Sequence, residues 1–483
     1  MMSMTWIRAI LLSTLFLSTV GFTTMRNPVS SMRGQISMVV MKKKGTPAKP
    51  APEPAVPLFP YGIVSFKMII EEKRFLSDKT MYIKKLEAAS NHIKIWRPRR
   101  FGKTLVCDML EQYYDKANSK TQKYYKAGLL DMPIEIDTED ALSSLQRLFD
   151  DVRIAGDQIY FIVDECDSFV NKLIFGVDIS QPDLGRAEYK ASVSGKEEMI
   201  RGWGNVIKEG TVGGTIARTF FTGVAPQAFS DGLSALNMVL DLTFDPHFAG
   251  MFGLTSDDVL RGLRRIGHLT EQQRSDYLEQ MREQYDGYRF VPTQEEAVYN
   301  PQYVHYFLNH LDRLGVPPES LIDSAVSNGN DNVAEFLLSN YKSISPNALQ
   351  NLAMGIWKPQ EMGVFERDMV PAFRSKDLFQ EDSVARCLIS LAFYNGFLTF
   401  KRDEQGRTFL ISLNLVSRAA FMELMFPDLS ASIYQQLIKL LTSPSLEKFK
   451  KFVEKSLAEG INKGIAESAK SLMLAYVQKL LGK

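Results

Sequence analysis

The stretch that could carry chemistry most directly is a basic loop that ends in Gly-Lys-Thr. Residues 93–110 read IKIWRPRRFGKTLVCDML, in which an apolar strand leads into the loop and a helix is predicted to begin at about Lys103. A strand–loop–helix unit of this kind directs several backbone N–H groups and the positive end of the helix at one point, which suits a phosphate group. In such a loop Lys103 reaches the β- and γ-phosphates of a nucleotide, and the Thr104 hydroxyl ligates Mg²⁺.

The loop departs from the usual phosphate-binding pattern at its first position, where Arg97 stands in place of glycine. Glycine is needed there only if the turn demands a positive φ or a very close approach of the backbone. Pro98 fixes its own φ at about −65°, so we predict a turn of a different shape. The arginines at 97, 99 and 100 could add charge beside the phosphates, and the alternative is that two of the three point to solvent.

A Gly-Lys-Thr sequence alone is a weak signal, and a second, acidic element must accompany it. Residues 157–170, DQIYFIVDECDSFV, supply that element. Asp164 follows an apolar strand and is expected at its carboxyl end, where ligands of open α/β sheets bind. One acid would hold the metal ion and the other, Glu165, would polarise a water, since neighbours on a strand point to opposite sides. The alternative is that these acids only begin a helix.

A buried sheet is needed to position the loop and the acids. Apolar runs at 93–96, 157–163 and 216–224 alternate with helical patterns, which is typical of a mostly parallel sheet in an α/β fold. Two helices are predicted around a break near Ser77–Asp78, and another from about Lys103 to Asp115. We found no internal repeat.

The C-terminal half follows a different pattern. From about Val298 onward it is mainly helical, apart from a predicted β-hairpin with its turn at Asp403–Gly406. We interpret this region as a helical domain with a small, winged-helix-like hairpin. The predicted division is a leader and linker at 1–56, an α/β domain at 57–295, a helical and hairpin domain at 296–428, and C-terminal helices at 429–483.

The N-terminus differs from the rest in composition. Arg8 precedes an apolar run that ends near Phe22, which is too short for a comfortable membrane span but suits a signal-peptide core. No acidic residue occurs before Glu53, and the intervening segment is basic, as in organelle transit peptides. The pair is similar to the two-part plastid leaders of algae with secondary plastids. We expect an organellar, plastid location without an integral membrane domain in the mature chain. The alternative is the secretory pathway.

Composition limits the remaining classes of function. The 483 residues are 45% hydrophobic and 23% charged, with a net charge of +1, so no whole-chain field attracts nucleic acid and any such contact would be local. The five histidines show no zinc-site spacing, and the three cysteines are too few and too widely spaced for a disulfide framework.

Several stretches together resemble the AAA-ATPase-like family, whose members are often fused to a PD-(D/E)XK nuclease domain. They are RPRRFGKT at 97–104, SDKT at 77–80, VDECD at 163–167, TGV at 222–224, YDGYRF at 285–290, YNP at 299–301 and AFYNGFLTF at 392–400. The matching stretches extend over roughly residues 58 to 425. The resemblance implies a P-loop NTPase fold with ATP and Mg²⁺ as ligands.

The resemblance also implies roles for single residues. Candidate catalytic residues are Lys103, Glu165 as the water-activating acid, and Thr222, which with Arg218 would lie where a γ-phosphate sensor is expected. The candidate metal ligands are Thr104 and Asp164. The candidate nucleotide-binding residues are Arg97, Pro98, Arg99, Arg100, Phe101, Gly102, Lys103, Thr104 and Leu105.

Two departures from the family pattern matter. Only sixty positions separate Thr104 from Asp164, fewer than the family usually has. Either the sheet lacks a strand–helix unit, of which DMPIEID at 131–137 is a remnant, or coding sequence has been lost. After Asp428 the chain contains no aspartate, and its tail has a helical pattern, so we do not predict a nuclease.

We therefore expect a Mg²⁺-dependent ATP-binding protein whose slow ATPase activity drives a conformational change, with a protein partner or self-association. One alternative is a nucleotide-binding switch or scaffold without hydrolysis. Another is a nucleic-acid-associated NTPase, which the net charge does not support.

Overall fold

The computed structural model describes residues 58–114, 141–168, 196–226, 236–321 and most of 369–416, together with Met4 and Thr5. Three predictions fall outside the described residues: the leader apart from Met4 and Thr5, the DMPIEID segment, and the C-terminal helices. Across the described ranges, no helix is both long and apolar enough to span a bilayer.

A parallel sheet forms the centre of the molecule, with its strands in the order β1–β3–β4–β2–β5. The strands are β1 (Met4–Thr5), β2 (His92–Trp96), β3 (Gln158–Val163), β4 (Ile216–Gly223) and β5 (Leu240–Asp241). The two-residue β1 pairs with the outer edge of β3, so the main sheet consists of the other four strands. The α/β class and the three predicted strands are confirmed, whereas β5 was not predicted.

The strands form because their residues are apolar on both faces and are covered by helices. Ile95, Phe220 and Phe221 are each 0% exposed, as expected for strands buried between two helical layers. In the register, Trp96 of β2 pairs with Gly223 of β4, and Val163 of β3 pairs with Phe221. The carboxyl ends of these three strands therefore meet at one edge of the sheet, which is where the loop and the acids begin.

Helices account for most of the remaining described structure. They are α1 (Phe66–Glu71), α2 (Met81–Ala89), α3 (Lys103–Tyr114), α4 (Ala141–Ile154), α5 (Lys196–Val212), α6 (Ser256–Arg265), α7 (Glu271–Tyr285), α8 (Pro301–Leu314) and α9 (Glu381–Tyr394). The break between α1 and α2 and the start of α3 at Lys103 confirm the predicted boundaries. Capping boxes at Thr255 and Thr270 begin α6 and α7, and Gly315 ends α8 in the left-handed conformation.

A β-hairpin follows α9, as predicted. Its strands β6 (Leu398–Arg402) and β7 (Thr408–Ser412) are antiparallel, and the Asp403 carboxylate accepts backbone N–H groups from the turn. Phe244, which follows β5, lies 6.0 Å from the ring of Phe393 and 6.3 Å from that of Phe400. These aromatic contacts join the hairpin to the sheet. The winged-helix likeness of this region stays a prediction.

Candidate functional site

Thr104 and Asp164 meet at the carboxyl edge of the sheet. Thr104 lies in the first turn of α3, and Asp164 directly follows β3. The Thr104 hydroxyl donates a hydrogen bond of 2.6 Å to Asp164 Oδ2. The structure thus brings the two residues predicted to share a metal ion into direct contact, although sixty positions separate them.

Lys103 begins α3 and points back over the loop that precedes it. Its Nζ donates to the backbone carbonyls of Arg97 at 3.0 Å and Pro98 at 2.9 Å, and the side chain is buried. Burial lowers the pKa of the Lys103 ammonium, and the carboxylates of Asp164, Asp167 and Glu165 partly oppose that change. The ammonium is therefore held inside the loop by neutral acceptors, with acidic groups close by.

The backbone of the loop explains which glycine is required. Arg100 and Gly102 both have positive φ, 66° and 82°, and the first helical hydrogen bond runs from the Val106 N–H to the Gly102 carbonyl. A Cβ at Gly102 would meet nothing within 4 Å, so glycine is favoured there by backbone conformation and not by space. Arg97 has no positive φ. A residue with a side chain is accommodated at that position without strain.

The Arg97 side chain lies under the loop and not beside a phosphate site. It is 1% exposed, and its guanidinium donates to the carbonyls of Trp96 at 2.7 Å, Thr243 at 2.9 Å and Phe248 at 3.3 Å. The guanidinium carbon also lies 4.3 Å from the centre of the Phe290 ring. Burial lowers the pKa of Arg97 to about 9. The expectation that its charge lies beside the phosphates is therefore corrected: Arg97 anchors the loop to the segment after β5.

The other predicted loop residues divide into two groups. Pro98 and Phe101 are buried, and the Phe101 ring packs against Tyr288 at 4.6 Å and Phe290 at 5.3 Å between ring centres. Their side chains hold the loop in place, so any contact with a ligand would come from their backbone. A second group stays accessible to solvent: Arg99, Arg100, Thr104 and Leu105.

Glu165 leaves the strand in an unusual conformation. Its φ is +50°, its side chain is exposed, and its N–H donates to Asp164 Oδ1 at 2.9 Å. The argument that strand alternation separates the two acids is therefore wrong, because Glu165 lies beyond the end of β3. A left-handed non-glycine residue at a strand end is a form of local strain that is often found at functional sites. The role of Glu165 as the water-activating acid stays a prediction.

Asp167 performs a function that the sequence analysis did not assign. Its carboxylate is 1% exposed and accepts the backbone N–H groups of Val224, at 3.0 Å, and Ala225, at 2.9 Å. It occupies the space above Gly223, where a Cβ would overlap Asp167 Oδ1 and lie 3.0 Å from Trp96 Cζ3. The last acid of VDECD and the glycine of TGV therefore fix the ends of β3 and β4 to each other. Asp167 and Gly223 both belong to stretches that carry the family resemblance, and this was the one sign in the sequence that they act together.

The two candidate sensors do not lie together. The Thr222 side chain is 0% exposed, and its hydroxyl donates to the Ile95 carbonyl at 3.0 Å, so a sensing role would require it to leave this partner. Arg218 is the third residue of β4, at the opposite end from Gly223, and its guanidinium reaches the Ser90 carbonyl at 3.5 Å. About 16 Å of extended strand separates it from the site edge. The sensor role predicted for Arg218 is therefore wrong.

The cysteines near the site are free thiols. Cys107 lies on α3, and Cys166 lies between the acids of the VDECD segment. Burial raises the pKa of both thiols, so the thiolate form is disfavoured. The absence of a disulfide framework holds for all three cysteines of the chain.

The donor atoms at this edge suit a hard cation. Within the described ranges no cluster of three or more His, Cys, Asp or Glu side chains could hold a metal ion. Mg²⁺ beside nucleotides, however, commonly takes only one or two protein ligands and completes its shell with phosphates and water. The Thr104 hydroxyl and the Asp164 carboxylate offer oxygen donors of that kind, so the residues present fit the ion that the motif implies.

The comparisons with known proteins cover the first part of this site. Residues 60–138 match the model of the AAA-ATPase-like family, described as a predicted AAA-ATPase. The match contains α1 to α3, β2 and the loop, whereas Asp164 lies beyond it. The resemblance to this family is confirmed, and the family supports nucleotide binding. No match was found among curated proteins.

Proposed function

We propose that this AAA-ATPase-like chain binds ATP, with the polyphosphate over residues 99–104, and hydrolyses it slowly. The observation that carries the proposal is the 2.6 Å hydrogen bond from Thr104 to Asp164 at the carboxyl edge of a parallel sheet. Parallel α/β sheets bind their ligands at this edge, and the amino end of α3 favours negative charge there. A chance Gly-Lys-Thr sequence would not account for an acid from another strand at hydrogen-bonding distance.

Lys103 supplies the main positive charge of the proposed site. Its Nζ donates to two backbone carbonyls of the loop, at 2.9 and 3.0 Å. These neutral acceptors compensate a buried ammonium less well than an anion does. We expect Nζ to exchange one or both of them for phosphate oxygens when ATP binds. Arg99 and Arg100, which are accessible to solvent, would add charge at the rim.

Thr104 and Asp164 would hold Mg²⁺. When bound, the ion would offset the charge of the β- and γ-phosphates. The residues themselves would have to rearrange, because the Thr104 hydroxyl proton now points at the carboxylate that would share the ion. The hydrogen bond keeps both oxygens within one small volume before any ligand arrives.

Glu165 is the proposed general base. Its carboxylate is exposed next to Asp164, and its backbone is fixed by the hydrogen bond to Asp164 Oδ1. A carboxylate in this position could accept a proton from a water that attacks the γ-phosphate. Asp164 would serve as the metal ligand, so the two acids would have separate roles.

A second function, a nucleotide-binding switch without hydrolysis, is favoured by one observation. Thr222 is the penultimate residue of β4, near the place where a γ-phosphate sensor would lie, but its hydroxyl is buried and bonded to the Ile95 carbonyl. With this hydroxyl engaged by the Ile95 carbonyl, the site could bind ATP and change shape without turnover. For either function, the conformational change would act on a protein partner or on a second copy of the chain.

The test is to measure ATP binding and phosphate release by the full-length chain, with Mg²⁺ and with EDTA. We expect binding that tightens with Mg²⁺ and phosphate release above that of a Lys103→Ala preparation. Binding without release would support the switch. No binding under either condition would remove both functions.

A further inference from the structure

The loop is held from its far side by a short segment, residues 286–290, which we call the clasp. The Tyr288 ring packs on Phe101 at 4.6 Å, and the Phe290 ring packs on Phe101 at 5.3 Å and under the Arg97 guanidinium at 4.3 Å. Phe101 and Arg97 both belong to the loop. The clasp therefore contacts the loop on either side of Pro98.

The β6–β7 hairpin holds the other side of the clasp through one side chain. The Thr399 hydroxyl, on β6, accepts the Arg289 N–H at 2.8 Å and donates to the Gly287 carbonyl at 3.0 Å. Thr399 is 2% exposed, so its hydroxyl is a buried partner of these two backbone groups, and its removal would break both hydrogen bonds. Gly287 has a φ of +107°, which only glycine adopts readily, so the turn of the clasp depends on glycine at this position.

Asn414, just after β7, adds a second attachment. Its amide donates to the Asp286 carbonyl at 2.9 Å, and the Tyr288 hydroxyl is bonded to Asn300 and Asn414. The turn between α9 and the hairpin meets the loop directly, because Gly396 lies so close to Pro98 that a Cβ there would approach the Pro98 Cβ to 3.0 Å. Thr399 and Asn414 thus connect the hairpin region with the clasp, and the turn before the hairpin contacts the loop itself.

We propose that Thr399 is a positioning residue for the phosphate loop: the hairpin, acting through the clasp, sets the loop conformation that binds nucleotide. The expected effect on ATP affinity rests on the proposed nucleotide-binding function. The expected effect on the loop conformation rests on the contacts alone. Phe101 is the residue directly before Gly102, whose left-handed backbone turns the chain into α3. A shift of the Phe101 ring would therefore change the direction of the N–H groups that face the phosphates. By linkage, nucleotide binding would also act on the hairpin.

The experiment compares three variants of the full-length chain. Thr399→Val keeps the shape and removes both hydrogen bonds, Thr399→Ser restores the hydroxyl, and Thr408→Val makes the same change near the hairpin turn. Hydrogen exchange at residues 99–104 is measured without nucleotide, and ATP affinity is measured well below the melting temperature of each variant. We expect Thr399→Val to speed loop exchange about threefold or more and to weaken ATP binding about tenfold. Thr399→Ser should recover most of both values, and Thr408→Val should match the parent.

Loop exchange in Thr399→Val equal to that in Thr408→Val would overturn the inference, as would failure of Thr399→Ser to recover it. The exchange measurement needs no nucleotide, so it decides the inference even if the parent does not bind ATP, an outcome that would sink the proposed function alone. Should Thr399→Val not fold, Tyr288→Phe replaces it, because it keeps the ring on Phe101 and removes only the hydroxyl bonds. Unchanged loop exchange in that variant would equally count against the inference.

Discussion

Thr104 Oγ1 and Asp164 Oδ2 lie 2.6 Å apart, joined by a hydrogen bond between a helix start and a strand end. The distance is short for a hydroxyl donor, as is usual when the acceptor is an ionised carboxylate. The pair fixes the relative position of α3 and β3 at the point where the loop opens. The same two oxygens are the ligands that the proposed Mg²⁺ ion beside a nucleotide would use.

Lys103→Ala should abolish measurable ATP binding. The polyphosphate would lose its main point charge, and we expect affinity to fall by about 100-fold or more. Lys67→Ala is the matched control, because Lys67 is an exposed residue of α1 that forms a 4.0 Å ion pair with the exposed Glu71. The measurement is titration of labelled ATP by both variants. Parent-like affinity in Lys103→Ala would show that the loop is not the phosphate site.

Asp164→Ala and Glu165→Gln should differ in which step they impair. Asp164→Ala should lose the Mg²⁺-dependent tightening of nucleotide binding, since the ion would lack its protein carboxylate. Glu165→Gln should bind ATP like the parent and lose about 100-fold in phosphate release, the usual scale for removal of a general base. Glu283→Gln, an exposed change on α7, serves as the control for both assays. Parent-like turnover in Glu165→Gln would place the base elsewhere and leave the ATPase proposal intact.

Gly223→Ala should destabilise the fold because the new methyl group would displace Asp167. The added Cβ would overlap the carboxylate and crowd Trp96, and Asp167 would lose its bonds to the Val224 and Ala225 N–H groups. We expect the free energy of unfolding to fall by about 2 kcal/mol or more. At Gly267 a Cβ would meet nothing within 4 Å, so Gly267→Ala should change stability by less than about 0.5 kcal/mol. Chemical denaturation of both variants provides the comparison, and equal midpoints would contradict the assigned role of Asp167.

His305 should make stability depend on pH. Burial lowers its pKa to about 4, its Nδ1 has no hydrogen-bond partner, and the ring lies 6.0 Å from that of Phe75. The unfolded chain takes up a proton at a higher pH than the folded chain does, so this contribution is complete above about pH 6.5 and is lost as the pH falls toward 4. We expect the free energy of unfolding to fall by about 2 kcal/mol over this range. This is less than the whole pKa difference would give, because part of the residue is accessible to solvent.

The measurement for His305 is the free energy of unfolding between pH 7 and pH 4, compared with two variants. His305→Gln should flatten this part of the profile, because glutamine does not titrate. His268→Gln removes an exposed histidine and should leave the profile unchanged. Identical slopes for the parent and His305→Gln would mean that other groups cause the dependence.

The sequence predicted those parts of the fold that depend on local pattern. Strands β2, β3 and β4 are continuous apolar runs, and the start of α3 at Lys103 follows directly from the loop. The pairing of Thr104 with Asp164 was predictable because parallel strands end at the same edge. Strand β5 was missed, since two exposed residues give no periodic signal and pair only because β2 lies beside them.

The errors at the site arise from tertiary contacts that the sequence does not express. Arg97 is a charged residue in a basic loop, and nothing local indicates that its partners are the carbonyls of Thr243 and Phe248, some 150 positions away. The left-handed backbone of Glu165 likewise could not be inferred from strand alternation, because alternation ends where the strand does. The role of Phe101 became clear only with the clasp beside it.

The buried guanidinium of Arg97 has a consequence for how a ligand would be received. Where many phosphate loops have glycine, this one has a side chain whose donors satisfy three interior carbonyl groups. The loop is therefore preorganised by contacts with the interior. A ligand would have to order little of its backbone, and ordering a flexible backbone costs about 1 kcal/mol or more of conformational entropy per residue. Glycine at position 97 would restore the common sequence and remove the guanidinium that donates to those carbonyls. The residue that looks like a departure from the motif is thus the one that ties the loop to the interior.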